Sequence, residues 1–345
     1  MSIQQFPGFI DIHVHLRQPG ATQKEDFFTG SRAAVKGGFT CVLDMPNNPG
    51  DPTISLDKLE EKIQLARSAR CDIGFYYGTD GNNLDSFPKA ATEAYLFGLK
   101  LYMEDTTGEL LVEDATKIAA IFAAWKSDKP ILIHAEGEHI GVAFDLAQSY
   151  HRRIHVCHVA SWEDLVLVRK AKEKGLSVTC GVTPHHLFLS QTDRTRLGSF
   201  AQVMPSIGDT SDQNALWEGV VDGTVDVVES DHAPHTMAEK HTNPPAFGVP
   251  GLETTLGLLL LAVHQKRISL ETVVKLLYDG PRKIFSIPIQ QKTYIELDPV
   301  KPFIAGALGY ETKCAWSPFD GWELYGQVQT VVLRGKPVVQ NAKVI

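Results

Sequence analysis

Eight short, β-branched apolar runs alternate with longer amphipathic stretches over roughly the first 230 residues, and this alternation predicts an α/β chain closed into a (β/α)8 TIM barrel. No glycine fingerprint follows the first run, which weakens an open, doubly wound nucleotide-binding sheet. Six polar residues, His13, His15, Lys100, His134, His158 and Asp231, stand at or near the ends of five of those runs. A barrel of this kind carries its chemistry at the C-terminal ends of its strands.

The expected strands are, in order, 9–16, 40–45, 72–78, 98–103, 131–135, 154–159, 177–182 and 226–230. Helical patterns fall between them at 55–70, 112–125, 162–174 and 211–221. Ser55 ahead of Leu56-Asp57-Lys58-Leu59, and Ser161 ahead of Glu163-Asp164, are plausible helix starts. Beyond Gly280 the chain becomes richer in Pro and Gly, then gives strand-like runs at 293–297 and 327–339. The expected organisation is a barrel over 1–288 and a small β appendage over 289–345, formed mainly by the C-terminal segment. There is no internal repeat. The chain starts almost at the first barrel strand, so the appendage is expected to be reduced.

Composition narrows the function. A chain of 345 residues with 43% hydrophobic content is long enough to build one large core. A formal charge of −8 without a basic run argues against nucleic-acid binding. Five scattered cysteines without a CxxC pair suit reduced thiols in the cytoplasm better than a disulfide framework. The N-terminus lacks a secretory pattern, and the most apolar stretch, 256–263, is too short to span a bilayer. The reading is a cytoplasmic protein with no membrane attachment.

Imidazoles and carboxylates are the usual ligands of zinc and similar ions. His13 and His15 are two apart, so on one strand they face the same side and can hold one ion together. The competing reading is a half-buried strand with two satisfied histidines. Lys100, in Gly98-Leu99-Lys100-Leu101-Tyr102, is an apparently buried cation. An ammonium cannot ligate metal, but a lysine carboxylated by CO2 becomes an anionic carbamate able to bridge two cations. The alternative there is an edge or snorkelling lysine. His134 and His158 each follow an apolar strand, at equivalent ends. Cys157 is read as packing, because regular alternation turns it away from His158. Asp231, in Glu229-Ser230-Asp231-His232, can ligate metal and move a proton from water to a leaving nitrogen.

The chain resembles the dihydroorotases of the amidohydrolase superfamily, of the type found in multifunctional pyrimidine-synthesis proteins. The segments that carry the resemblance run from Pro7-Gly8-Phe9-Ile10-Asp11-Ile12-His13-Val14-His15-Leu16-Arg17 through Met45-Pro46-Asn47 and Gly98-Leu99-Lys100-Leu101-Tyr102 to His155-Val156-Cys157-His158-Val159-Ala160. They continue with Thr183-Pro184-His185-His186-Leu187-Phe188-Leu189, Ser230-Asp231-His232-Ala233-Pro234-His235-Thr236 and Pro250-Gly251-Leu252-Glu253-Thr254. The resemblance implies two Zn2+ ions, or other divalent metals. His13, His15 and Asp231 would hold one and His134 and His158 the other, with carboxylated Lys100 and a hydroxide bridging them. It implies a substrate carboxylate met by Arg17, Asn47 and His235, backbone contacts from Pro250 and Gly251, and a lid over 104–109 carrying Thr106 and Thr107. The implied reaction is the reversible cyclisation of N-carbamoyl-L-aspartate to L-dihydroorotate, with Asp231 as acid and base. A homodimer, and aspartate transcarbamoylase as a partner, are implied as well.

Two positions depart from the pattern. Met204 stands where relatives usually carry Asn or Arg, and a thioether cannot replace that hydrogen bonding. Glu229 stands where relatives commonly have Gly or Ala, so its carboxylate lies near the metals or points outward. The alternatives are a hydantoinase- or allantoinase-type cyclic amide hydrolase, and a weakly active subunit that scaffolds aspartate transcarbamoylase.

Overall fold

The structure, a computed structural model, describes residues 2–105 and 108–345. Thr106 and Thr107 lie outside the described residues. A first strand, β1 (Gln4–Pro7), precedes eight parallel strands: β2 (Phe9–Val14), β3 (Phe39–Asp44), β4 (Asp72–Gly78), β5 (Leu96–Tyr102), β6 (Ile131–His134), β7 (Ile154–Val156), β8 (Val178–Val182) and β9 (Val227–Val228). The eight pair in chain order. A parallel bridge between Val14 and His232, with the His15 amide donating to the His232 carbonyl at 2.8 Å, brings the last strand back to the first. The expected (β/α)8 barrel is the observed one.

Strands β2 and β3 are buried along their whole length, as expected for parallel strands covered on both faces. Inward side chains such as Ile10, Ile12, Leu43, Tyr76, Leu132 and Val227 fill the barrel, and Phe285 and Ile287 close on the same cluster. A larger apolar layer lies between the strands and the helices. Ser55 and Ser161 cap the helices Leu56–Leu65 and Trp162–Glu173 as expected. The helix expected from residue 112 begins at Ala115, because Asp114 accepts from the amides of Thr116 and Lys117 and fixes the start there. The expected strand 226–230 is shorter, since the backbone turns left-handed at Asp231 (φ 44°).

The remaining strands are β10 (Tyr294–Leu297), β11 (Pro302–Ile304), β12 (Glu323–Tyr325), β13 (Thr330–Leu333), β14 (Lys336–Gln340) and β15 (Lys343–Val344). An antiparallel sheet runs β1-β10-β13-β14-β15. The appendage is therefore mainly C-terminal, but its edge strand comes from the N-terminus. Gln4-Gln5-Phe6-Pro7 carries no strand pattern and is recruited by backbone pairing with Tyr294–Leu297.

Candidate metal centre and substrate pocket

The barrel mouth re-aims its side chains at the strand ends. In β2, Ile10 and Ile12 point inward, and regular alternation would send Val14 the same way. Val14 instead joins the outer layer, because the pairing with β3 shifts register between Asp11 and Val14, and Asp11 Oδ1 accepts from the His13 amide. That irregularity turns His13 and His15 into the mouth. In β7 the same end is reached differently. Cys157 faces the barrel interior, and His158 follows it inward only because its own φ is 36°. The expectation that Cys157 packs away from the histidines is therefore corrected: the strand does not stay regular. Arg17 (φ 61°) and Asp231 (φ 44°) share this left-handed conformation, which is uncommon outside glycine and clusters at functional sites.

Five expected ligands meet closely, in two groups. Asp231 Oδ1 lies 3.1 Å from His15 Nε2 and 3.4 Å from His13 Nε2, and the donor atoms of the three residues fall within 4.8 Å of one another. His134 Nδ1 and His158 Nε2 converge to 3.0 Å. His134 Nε2–H donates to the Asp105 carbonyl at 3.1 Å, which leaves Nδ1 its lone pair for the mouth. Lys100 is fully buried, 3.1 Å from Cys157 Sγ and 4.9 Å from the centroid of the Tyr102 ring. No carboxylate stands within ion-pair distance of it among the described residues.

Glu229 points inward and is fully buried. Its Oε1 accepts from the His158 amide at 2.5 Å, and its Oε2 lies 3.4 Å from His13 Nδ1 and 3.6 Å from His155 Nε2. With His13 and Cys157 it forms a second trio of convergent donors below the first. Burial pushes the Glu229 carboxyl up, but the charge of His13 and the His13 and His155 contacts outweigh it and hold it below the usual range. Burial likewise pushes His13 down, and the Glu229 and Asp231 carboxylates reverse this to about 10. His15 and His134 go the other way, to about 3, chiefly through burial.

A small cavity of about 40 Å³ opens here, lined by His13, His15, Arg17, Asn47, Tyr102, His134, His158, Met204, Asp231, Ala233, Phe247 and Gly248. Arg17 and Asn47 thus line the same cavity as the candidate ligands. Met204 sits in the wall, so its departure from the pattern bears directly on the pocket. His235 stands behind Arg17, with Nε2 3.2 Å from Nη2. Pro250 and Gly251 are buried outside this lining, and Gly251 is occupied internally: its amide donates to His232 Nδ1 at 3.2 Å and its carbonyl accepts from Thr254 and Thr255. Phe247 and Gly248 were not legible as site residues, since they belong to no strand pattern. A larger cleft of about 1020 Å³ lies at the opposite, N-terminal end of the strands, between residues such as Asp72, Tyr95, Arg153 and Ile289, away from every candidate residue.

Barrel, register and donor set together define a hydrolase-type metal centre, and the chain belongs to the amidohydrolase family, which it matches over residues 5–235. That family is metal-dependent, and the cluster just described is where its metal would be held. Among curated relatives, the chain is 42% identical over 343 residues to the multifunctional protein CAD of Squalus acanthias, covering 99% of this chain and 15% of that protein. It is 33% identical over 369 residues to a dihydroorotase of Methanosarcina acetivorans, covering 92% of this chain and 78% of the relative. The chain thus spans about 15% of the length of its multifunctional relatives. Among solved structures, the L-hydantoinase of Arthrobacter aurescens superposes with a TM-score of 0.92 at 26% identity, over 99% of this chain and 86% of that one. An inactive dihydroorotase-like domain of a Chaetomium thermophilum CAD-like multifunctional protein gives 0.83 at 25%, over 100% and 97%. No helix among the described residues is long and apolar enough to cross a membrane.

Proposed function

We propose that the protein is a dihydroorotase that interconverts N-carbamoyl-L-aspartate and L-dihydroorotate. The observation that carries this reading is Arg17. Its guanidinium is buried (3% exposed) in the wall of the metal pocket, its Nε has no hydrogen-bond partner among the described residues, and none of their carboxylates lies within ion-pair distance. A buried cation of this kind calls for an anionic partner, and a carboxylate suits its planar fork. A hydantoin ring has no such carboxylate, so Arg17 separates this reading from the hydantoinase type.

Two divalent ions, which we take to be zinc, would be held by His13, His15 and Asp231 for one and His134 and His158 for the other, and Lys100 would join them as a CO2-derived carbamate. The carbamate would replace a buried, uncompensated ammonium with an anion, and the convergent imidazole nitrogens support the rest. When bound, such ions supply Lewis acidity and lower the pKa of water. The chain's own groups do the remainder. Arg17 holds the side carboxylate of the ring, with Asn47 and His235 beside it. Asp231 receives the proton as the water oxygen joins the ring carbonyl carbon, and returns it to the amide nitrogen as the C–N bond breaks. Cyclisation is the reverse, with loss of water. Thr106 and Thr107 complete this reading as substrate contacts from the loop 104–109, whereas Pro250 and Gly251 act from behind the pocket, the Gly251 amide holding His232 Nδ1.

Residues 1–288 would act as the catalytic barrel and 289–345 as an appendage packed on it. Trp316 Nε1 supports this arrangement by donating to the His235 carbonyl at 2.9 Å. A homodimer, aspartate transcarbamoylase as a partner and a cytoplasmic setting belong to the same reading; the five free, buried cysteines suit the last.

The test is turnover of both compounds by zinc-loaded protein beside a Lys100→Ala variant. Turnover abolished by the substitution supports the assignment. No turnover by the loaded wild type would move the assignment to another cyclic amide or to a scaffolding role, with Met204 the first residue to examine.

A further inference from the structure

His235 lies between two cations. Arg17 Nη2 stands 3.2 Å from Nε2, and Lys24 Nζ stands 3.4 Å from Nδ1. Both neighbours can only donate, and a neutral imidazole offers one lone pair and one N–H. The ring can therefore satisfy Arg17 or Lys24, but not both. Glu239 breaks the tie. Its Oε1 accepts from Lys24 at 2.8 Å, and its Oε2 faces His235 Nδ1 at 3.6 Å. Lys24 thus has a carboxylate of its own, whereas Arg17 has none, and the ring's lone pair is left to Arg17. Glu239 is held in place independently of these contacts. It closes the capping box of the helix Met237–Lys240, with Oε2 accepting from the amide and hydroxyl of Thr236 at 3.0 and 3.1 Å.

We propose that Glu239 is a positioning residue that, by occupying Lys24, holds His235 in the Nδ1–H tautomer and so fixes Arg17 for the substrate carboxylate. The tautomer belongs to the protein alone; its consequence for affinity rests on the carboxylate reading above. Without the Glu239 charge, the Lys24 ammonium claims the lone pair at Nδ1, the proton moves to Nε2, and that proton opposes the Arg17 guanidinium.

The experiment uses the zinc-loaded 345-residue chain with 15N-labelled histidine. Long-range ¹H–¹⁵N spectra are recorded for the wild type, Glu239→Gln, Lys24→Met and the double variant, and His235→Gln identifies the resonances. Gln keeps an acceptor for the capping box, so the single charge is what changes. Expected are an unprotonated Nε2 in the wild type, a protonated Nε2 in Glu239→Gln, and return to the wild-type pattern when Lys24→Met is added. An unchanged tautomer in Glu239→Gln, or a double variant that fails to revert, overturns the proposal. KM for N-carbamoyl-L-aspartate should follow the tautomer, rising about tenfold in Glu239→Gln and recovering in the double variant, while kcat changes less than about twofold. Spectra that switch as expected in a protein that turns over neither compound would sustain the positioning role and refute the dihydroorotase reading.

Discussion

A Cβ built on Gly181 would lie 2.6 Å from the carboxyl carbon of Glu229, so the missing side chain of one residue makes the space that the other fills. Gly181 belongs to β8 and Glu229 follows β9, the strand beside it, so the two are neighbours across the sheet. The carboxylate admitted this way reaches the His158 amide and the far side of His13. A residue that the resemblance marks as a departure becomes a support of His13 and His158.

Gly181→Ala should therefore destabilise the protein by about 1–3 kcal/mol, as overpacking in a filled interior does. Much of that cost should vanish in a Glu229→Ala background, where the clash has no partner. A double-mutant cycle by urea unfolding measures the coupling, which is expected to exceed about 0.5 kcal/mol. Strict additivity would show that Glu229 moves aside freely and that the two positions are independent.

Arg17 provides the substrate test. Arg17→Met should lower kcat/KM for L-dihydroorotate by roughly 30- to 1000-fold, corresponding to about 2–4 kcal/mol for truncating one partner of a buried charge pair. Arg17→Lys should recover only part of it, because an ammonium cannot match a carboxylate with two parallel bonds. Metal content, measured alongside, should stay at the wild-type level in both variants. A wild-type kcat/KM in Arg17→Met would remove the carboxylate from this pocket.

The pocket rests on a buried ion pair that sequence periodicity did not disclose. Lys62 Nζ lies 2.7 Å from Asp44 Oδ2 and donates to the Met45 carbonyl at 2.7 Å, and both side chains are essentially inaccessible. Asp44 also accepts from the Leu16 amide at 2.7 Å, next to Arg17. Lys62→Met leaves that carboxylate buried without its cation and should cost about 3–5 kcal/mol. Adding Asp44→Asn should restore part of the loss, and thermal unfolding of the two variants decides between this and a merely solvated pair.

How much of this was legible in the sequence depends on distance along the chain. The barrel was readable because eight apolar runs repeat with helical spacers, and His134 because it ends a regular strand. His13 and His15 were readable as a pair, although the register shift before them was not. Cys157 and Glu229 were misjudged or left open for one reason: their direction depends on left-handed turns at His158 and Asp231 and on the absent side chain of Gly181. Backbone irregularities of that kind leave no periodic trace. Strand β1 escaped for a similar reason, since it forms by pairing with residues nearly 300 positions away. Lys24 and Glu239 were invisible because their meaning lies in a third residue, His235.

Acid should unfold the metal-free protein earlier than its composition suggests. Burial holds His15 and His134 near 3, His186 near 4 and His235 near 2, and keeps His158 and His185 well below their ordinary value. In each case the unfolded chain binds a proton that the folded one refuses. The stability they contribute is complete above about pH 6.5 and is lost as pH falls toward the folded values, at about 2 kcal/mol per histidine between pH 6.5 and 5. His13 runs oppositely, since its folded value is raised to about 10: its share is complete below pH 6.5 and fades as pH rises toward 10. Asp11 and Glu253, raised by burial to about 7 and about 8, oppose the six histidines between pH 7 and 5 without matching their number, so the net slope on the acid side still follows the histidines. Melting temperature measured in chelator from pH 7 to pH 5 should fall steeply, and His235→Gln should flatten the slope by one group's share. Zinc should move the fall to lower pH, because bound metal holds the ligating imidazoles neutral until protons displace it. A melting temperature indifferent to pH over that range in chelator would mean that these histidines are hydrated in the metal-free protein, and that the mouth is open rather than closed around them.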